Sequence, residues 1–247
     1  MAKSLAALFW GGALCVSALA QAPAPAPSAL PSADDVVKRY VKAIGGQDAW
    51  QKLTSRQVKG TLDIPAMNLS GTLESHEKAP NKMLHVSVLA GASYLRGFDG
   101  ASGWADDPQN GLRDLAGAEL EDMKREADFY RPLNLQKTYS KMTVTGTEKV
   151  SDRDAYVVEA ALPQGDSDKL FFDVQSGLLV RTIQQEHTAL GALTIQADLS
   201  DYRDVDGVKM PFSIRQSNPQ FEFSLKFTEV HHNVRFDDTQ FSKPAAQ

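Results

Sequence analysis

Cysteine is almost absent from this chain: the sequence has one, Cys15, within an N-terminal apolar run. A lipid-anchor signal would need a small residue directly before its cysteine, whereas Leu14 occupies that position. We therefore expect Cys15 to be removed with the N-terminal segment, which leaves no thiol nucleophile and no disulfide. A domain of this size can fold without a covalent crosslink because its core is large enough.

Long apolar runs are also absent after residue 20. Before that point, Lys3 gives a positive start, and the run from Leu5 to Ala20 is short for a bilayer span. Ala18-Leu19-Ala20 fits the small-residue pattern of a signal-peptidase site. We predict a secretory signal peptide over residues 1–20 and a periplasmic location, with an uncleaved anchor as the alternative.

Blocks of like charge and internal repeats are lacking as well. Residues 21–31, QAPAPAPSALP, form an Ala/Pro-rich linker whose composition favours extended polyproline and cannot build a core. Residues 32–244 contain no second linker and fit one domain. The net charge is −5 with acids and bases interspersed, so the sequence indicates no nucleic-acid partner.

The sequence also lacks recognisable catalytic and metal-binding motifs. His231 and His232 are adjacent, so on a strand they point to opposite faces and do not chelate together. His85 alternates with Leu84 and Val86, which predicts that it faces solvent. No GxSxG or phosphate-binding glycine motif occurs. We expect a non-enzymatic protein without cofactor or metal, although carboxylates paired only in space stay an open possibility.

Regular alternation of apolar and polar residues is what the sequence does contain. It is clearest over residues 221–228, FEFSLKFT, and recurs over 58–64, 67–73 and 84–88. A period of two puts apolar side chains on one face of a sheet, and tight turns such as Asp206-Gly207 join neighbouring strands. The pattern predicts a mainly β, α+β fold: one curved antiparallel sheet of about ten strands.

Two helices are predicted beside this sheet. The first begins at Ser32, whose cap position is followed three residues later by Asp35, and stops at Gly45-Gly46. The second interrupts the strands from Leu112 to Tyr130, where apolar residues recur at helical spacing. Two helices cover only about half of the apolar face of such a sheet. The remaining area is either packed by its own side chains, used as a dimer interface, or left as an apolar cavity.

A cavity of this kind would be lined by residues that share the apolar parity of several strands. We predict as cavity residues Leu62, Leu73, Val86, Phe223, Leu225 and Phe227. Arg96 is the one charged candidate. It shares parity with Tyr94 and Phe98, so it either faces solvent or points inward toward a lipid headgroup or a lid carbonyl.

Several segments resemble the outer-membrane lipoprotein-sorting proteins: Pro80-Asn81 ahead of a strand, the hairpin from Asp99-Gly100 to Gly103-Trp104, and residues 202–211 and 236–241. The resemblance implies a half-barrel that shields the acyl chains of a lipid or lipoprotein under a helical lid. We predict that the helix from Leu112 to Tyr130 is this lid or a partial plug, because it interrupts the strands and its apolar stripe can lie on the apolar face of the sheet. The residues of this stripe are Leu112, Leu115, Leu120, Met123 and Tyr130.

One departure from the family pattern concerns the closure of the lid. The best-known carriers have an arginine directly before the Pro-Asn pair, whereas this chain has Ala79 beside Lys78. Their closure mechanism therefore does not transfer. We predict a periplasmic carrier for lipid or lipoprotein acyl chains; the alternative is a ligand-free interaction module that docks to a cell-envelope membrane complex.

Signal-peptide cleavage gives the first test. We expect protein recovered from its native envelope to begin at Gln21, because the apolar run ends at small residues and the Pro-rich sequence cannot continue a helix. N-terminal sequencing or intact-mass measurement checks this. Protein that retains Met1, or that carries diacylglycerol on Cys15, would contradict it.

Overall fold

The computed structural model describes residues 29–188, 191–219 and 221–245. The predicted signal peptide lies outside these residues, as does the predicted linker except for residues 29–31. The helices are α1 (Ala33–Ala43), α2 (Gln47–Trp50), α3 (Gly117–Glu126) and α4 (Leu135–Thr138), with 3-10 turns at Pro65–Met67 and Asp238–Phe241. In the part of the chain so described, no helix has the length and apolar character to cross a bilayer.

The strands are β1 (Ser55–Ile64), β2 (Leu69–Lys78), β3 (Lys82–Leu89), β4 (Ala92–Phe98), β5 (Gly103–Asp107), β6 (Gly111–Asp114), β7 (Lys141–Val150), β8 (Arg153–Ala161), β9 (Ser167–Asp173), β10 (Leu179–Thr188), β11 (Gly191–Val205), β12 (Val208–Ser217) and β13 (Glu222–His232). They form a single sheet in the order β6-β5-β4-β3-β2-β1-β13-β12-β11-β10-β9-β8-β7. The strand pairs are antiparallel, as predicted.

This order separates two strands that are consecutive in sequence. Strands β6 and β7 are the two edges of the sheet, so the sheet is open, and the chain between them must pass from one edge to the other. Residues 115–140, which include α3 and α4, make this crossing on the concave face. The crossing segment, as we call residues 115–140, therefore covers part of the face that the strands leave apolar.

The prediction of about ten strands and of one helix from Leu112 to Tyr130 is wrong in its details. The sheet has thirteen strands, and Leu112 belongs to β6, where it pairs with Asp106 of β5. Helix α3 begins only at Gly117, whose φ of 55° is unsuited to a continuing helix, and ends at Glu126. Beyond it, the Asp128 carboxylate accepts a hydrogen bond from the Tyr130 backbone N–H and forms a turn.

The N-terminal helix follows its sequence signals closely. The Ser32 hydroxyl caps α1 by accepting a hydrogen bond from the Asp35 N–H at 3.1 Å. At the other end Gly45 has a φ of 111°, and a Cβ there would lie 2.3 Å from the Gly207 carbonyl oxygen. Gly45 thus lets the helix end abut the turn between β11 and β12, where the Lys209 N–H donates to the Ile44 carbonyl.

Helices α1, α2 and α4 cover one end of the concave face and build the main core with β8, β9 and the β11–β12 turn. Its buried members include Val37, Tyr40, Trp50, Phe129, Leu135, Val158, Leu170, Phe172 and Met210. Arg56 lies in this core against the rings of Trp50 and Phe129 and is paired with Glu77. The middle of the concave face lies beyond the reach of these helices.

The convex face is covered at β3–β5 by the C-terminal segment. Trp104 packs flat over Gly97, and its indole N–H donates to the Phe241 carbonyl at 2.9 Å. Phe241 is fully buried, and Phe236 stacks on His76 at 4.8 Å between ring centroids. This part of the convex face is therefore apolar and buried. The sheet carries apolar side chains on both faces here, whereas the alternation predicts them on one face.

Gly97 gives a test of this packing. A Cβ at Gly97 would lie 2.4 Å from the Trp104 ring, so Gly97→Ala must displace the indole. We expect a loss of about 2 kcal/mol in the free energy of unfolding, measured by urea denaturation. Gly146→Ala in β7 is the matched control, since a Cβ there meets nothing within 4 Å. Equal stability of the two variants would contradict the packing described.

Candidate functional site

The uncovered middle of the concave face forms a cavity of about 780 Å³. Its floor comes from β1, β2, β12 and β13, and its sides from β3, β4, β10, β11 and the crossing segment. The volume lies in the range of roughly 300–1,000 Å³ that small-molecule pockets occupy. Apolar side chains dominate the floor, which fits the alternation seen in the sequence.

The structure brings the predicted cavity residues together. Leu62, Leu73, Phe223, Leu225, Phe227, Val86 and Arg96 all border this one cavity. Leu62 and Leu225 are direct ladder partners across β1 and β13. The five apolar side chains on these central strands are only half-buried, whereas core residues such as Leu170 are 2% exposed. The floor is therefore open to the cavity and not sealed by packing.

The parity predicted for β3 is wrong. Val86 stands opposite Glu74 in the ladder, and the Glu74 carboxylate contacts Lys59 and His76 on the convex face. Alternation then directs Met83, His85, Ser87 and Leu89 to the concave side. His85, which was predicted to face solvent, therefore points to the concave side and borders the cavity. Val86 also belongs to the cavity lining, although its position in the ladder directs its side chain to the convex side.

Arg96 points inward and joins three elements that are far apart in the sheet. Its guanidinium lies 3.6 Å from the Glu126 carboxylate at the end of α3 and 3.4 Å from that of Glu186 on β10. His85 Nδ1 lies 3.6 Å from the same Glu126 carboxylate. Strands β4 and β10 are separated by many strands in the sheet order, so this contact shows how strongly the sheet curls.

The charges of this cluster shift one another. Glu126 chiefly raises the pKa of Arg96, so the guanidinium stays charged. Burial acts to raise the pKa of Glu126, but Arg96 and His85 outweigh it and hold that pKa below its ordinary value. For Glu186, burial and the nearby Glu126 and Asp122 carboxylates prevail over Arg96, and the pKa is raised.

The sequence reasoning missed His85, Glu126 and Glu186. Glu126 lies at the C-terminal end of α3, within the predicted helix, but nothing local marks it as the partner of an arginine on β4. Glu186 on β10 was missed for the same reason, because nothing in its local sequence marks it as a partner of Arg96. Only the approach of β4 to β10 brings these side chains together.

The predicted lid residues lie away from the cavity wall. Leu115 and Met123 are buried in a separate core with Met83, Phe98 and Ala105, and Leu120 packs against it. Leu112 is on β6, and the Tyr130 hydroxyl donates to the Leu53 carbonyl at 2.9 Å. Instead, the cavity is bordered by later residues of the crossing segment, among them Glu126, Asp128, Phe129, Arg131 and Leu135.

Helix α3 nonetheless bridges both halves of the sheet. It contacts β5 on one side and β10 on the other. On the β10 side, the Asp122 carboxylate accepts from the His187 backbone N–H at 2.7 Å and contacts the ring Nδ1 at 2.9 Å. That this segment opens and closes as a lid stays a prediction. In the structure the helix concerned is α3, which has ten residues.

One end of the half-barrel differs sharply from the other. Four central hairpin connections meet at the same end because the strands are antiparallel. The sequence at these connections, 64–72, 87–95, 189–197 and 216–221, contains no charged residue. Three large apolar side chains are exposed there: Met67 at 61%, Tyr94 at 37% and Phe221 at 43%. At the opposite end the turns carry charges, as in residues 78–82 and 204–209.

The described residues contain no group of three or more His, Cys, Asp or Glu side chains that could hold a metal ion.

Arg96 gives a test of the charge cluster. Arg96→Gln removes the cation that Glu126 and Glu186 share, and we expect a loss of about 1 kcal/mol at neutral pH, since all three groups are partly solvated. Their folded-state pKa values then lie above those of the unfolded chain. The deficit is therefore full above the folded values and shrinks as pH falls toward about 4.3.

Thermal unfolding at pH 7.5 and pH 5 checks this, with Arg235→Gln at an exposed position as the control. The difference in Tm between Arg96→Gln and the parent protein should be larger at pH 7.5. A difference that grows on acidification would refute the assigned signs.

No protein-family model matches the sequence, and no curated protein matches it either. Solved structures do match the fold. A DUF1329 family protein from Desulfovibrio piger superposes with a TM-score of 0.57 at 14% identity, over 85% of this chain and 96% of that one. A LolA superfamily protein from Nitrosomonas europaea gives a TM-score of 0.55 at 14% identity, over 87% and 99% of the two chains.

A domain from Vibrio parahaemolyticus described as an outer-membrane lipoprotein-sorting protein domain gives a TM-score of 0.54 at 14% identity, over 85% and 95%. Identities this low establish a common fold and no more. The resemblance drawn from the sequence is thus confirmed at the level of the fold. The chain has the open, curved β-sheet fold of the LolA superfamily protein and of the lipoprotein-sorting domain, at a large sequence distance from both.

Proposed function

We propose that this protein is a non-enzymatic periplasmic carrier that shields the acyl chains of a lipid or lipoprotein in its concave cavity. The observation that carries the proposal is the half-buried apolar floor formed by Leu62, Leu73, Phe223, Leu225 and Phe227. Side chains of this type bind hydrocarbon because its burial removes apolar surface from water. The LolA-type fold of the solved structures supports the same reading.

The uncharged end of the half-barrel supports a route for the lipid. Tyr94 and Phe221 belong both to the exposed apolar group at this end and to the cavity wall. A hydrocarbon chain that slides past them meets no fixed charge at the four central hairpins. The secretory signal and the linker are parts of the proposal that rest on the sequence, and an envelope membrane complex is proposed with them as a partner.

A carboxylate on the cavity floor gives the test. Leu225→Glu places a charge where the side chain is half-buried and faces the cavity, so water there can hydrate it. We expect a modest loss of stability and at least about a tenfold loss of affinity for a fluorescent fatty acid, since the acyl chain now meets a charge. Lys226→Glu, on the opposite face of the same strand, is the matched control and should bind the probe normally.

A packed interior would give a different result. In that case Leu225→Glu buries an unpaired charge, and the domain should lose roughly several kcal/mol of stability. Parent protein that takes up no acyl probe, together with unfolding of Leu225→Glu, would contradict the carrier and favour the docking module.

A further inference from the structure

A second, smaller cavity of about 250 Å³ adjoins the apolar one. The two share Arg96, Glu126, Arg131 and Glu186 in their walls, so the two cavities meet at the Arg96 cluster. Its own wall adds Asp122, Arg125 and Asp168. An apolar cavity that leads into a charged one is the shape that an amphiphile with a polar headgroup would fill.

Most charges in the smaller cavity are already paired. Arg96 lies against Glu126 and Glu186, and Arg125 binds Asp122 at 2.5 Å. Two charges remain once these pairs are set aside. They are the carboxylate of Asp168 and the guanidinium of Arg131.

Asp168 is fully buried, at 0% exposure. Its Oδ2 accepts hydrogen bonds from the Tyr139 hydroxyl at 2.7 Å and from the Gln184 amide at 2.9 Å. Burial and the Asp168 charge raise the pKa of Tyr139, so the phenol keeps its proton and donates it. Oδ1 has no hydrogen-bond partner among the described residues, and both donors to Oδ2 are neutral.

The cationic side of the cavity is also incomplete. Arg131 makes no salt bridge within the described ranges, although its charge helps to lower the pKa of the nearby Glu126 carboxyl, and Arg125 Nη1 is buried there without a hydrogen-bond partner. A buried charge without a counter-charge is costly. The cavity thus presents one unpaired acceptor and two guanidinium groups with free donors.

We propose that this cavity binds a zwitterionic headgroup that carries a phosphate and a primary ammonium, while the acyl chains of the same lipid lie on the apolar floor. This rests on the proposed carrier function. The phosphate lies against Arg131 and Arg125, because guanidinium groups match phosphate oxygens. The ammonium donates to Asp168 Oδ1.

Other headgroup classes fit less well. A purely anionic headgroup would meet the Asp168 carboxylate, and a purely cationic one would leave Arg131 unpaired. A quaternary ammonium has no N–H to donate to Oδ1. The geometry therefore favours phosphatidylethanolamine-type headgroups over phosphatidylglycerol and phosphatidylcholine.

The test compares three phospholipids with identical acyl chains and these three headgroups, bound to the full-length mature chain. Affinity is measured by displacement of a fluorescent fatty acid. We expect the parent protein to prefer the ethanolamine lipid over the choline lipid by about tenfold, the effect of one hydrogen bond to a charged group. Asp168→Asn should abolish this preference for the ethanolamine lipid. Asp152→Asn in an exposed turn is the matched control.

Arg131→Gln is a second variant that avoids a fully buried position, and it should weaken the binding of both phosphate zwitterions relative to the parent protein. Equal binding of the three lipids by the parent protein would contradict the headgroup site but not the carrier function. A preference that survives both variants would have the same meaning. No uptake of the fatty-acid probe overturns the carrier itself. Free phosphoethanolamine that binds as tightly as the lipid would overturn the lipid headgroup as the ligand.

Discussion

The position of the two edge strands is the constraint on which the rest of this structure depends. Strands β6 and β7 follow each other in sequence but lie at opposite edges of the sheet, so the crossing segment has to traverse the concave face. It supplies Phe129 and Leu135 to the main core and Glu126 and Arg131 to the cavity. An open sheet with one such crossing is covered at its sides and hollow in the middle.

Charges inside this hollow mostly lie against a counter-charge, and the buried Asp168 carboxylate, which accepts hydrogen bonds only from neutral donors, is the exception among the described residues. The Arg96 cluster links β4, β10 and α3, and these three elements have no contact in the sheet ladder with one another. Its electrostatic attraction therefore acts between the two halves of the curved sheet. The same cluster separates the apolar cavity from the polar one, so a single set of side chains both fastens the fold and divides its interior.

The fold by itself does not assign the ligand, since one fold can serve many functions. What distinguishes this chain is where polarity and charge are placed within the fold. The central hairpins at one end are uncharged, the floor beneath them is apolar, and the charged groups of the Arg96 cluster gather between β4, α3 and β10. This separation of apolar and charged groups is a property of the residues and fits an amphiphile whose acyl chain and headgroup are bound apart.

Alternation in the sequence by itself determined the single antiparallel sheet and the inward faces of β1, β2 and β13. Leu62, Leu73 and Leu225 could be placed because one face of those strands is polar. In β3 the same rule failed, because Leu84 and its apolar neighbours face the convex side, where the segment around Phe241 lies against β3. The local pattern indicates that a side chain is covered, but it does not identify which part of the chain covers it.

Only the tertiary structure decided the partners of the charged residues. The ambiguity of Arg96 was resolved by Glu126 and Glu186, which are distant in sequence and come within reach because the sheet curls. The start of the predicted helix was likewise decided by pairing of Leu112 with Asp106 in a strand ladder, which outweighs its helical spacing. Periodicity reports on one element at a time, whereas ion pairs and ladders depend on contacts between elements that the sequence does not encode locally.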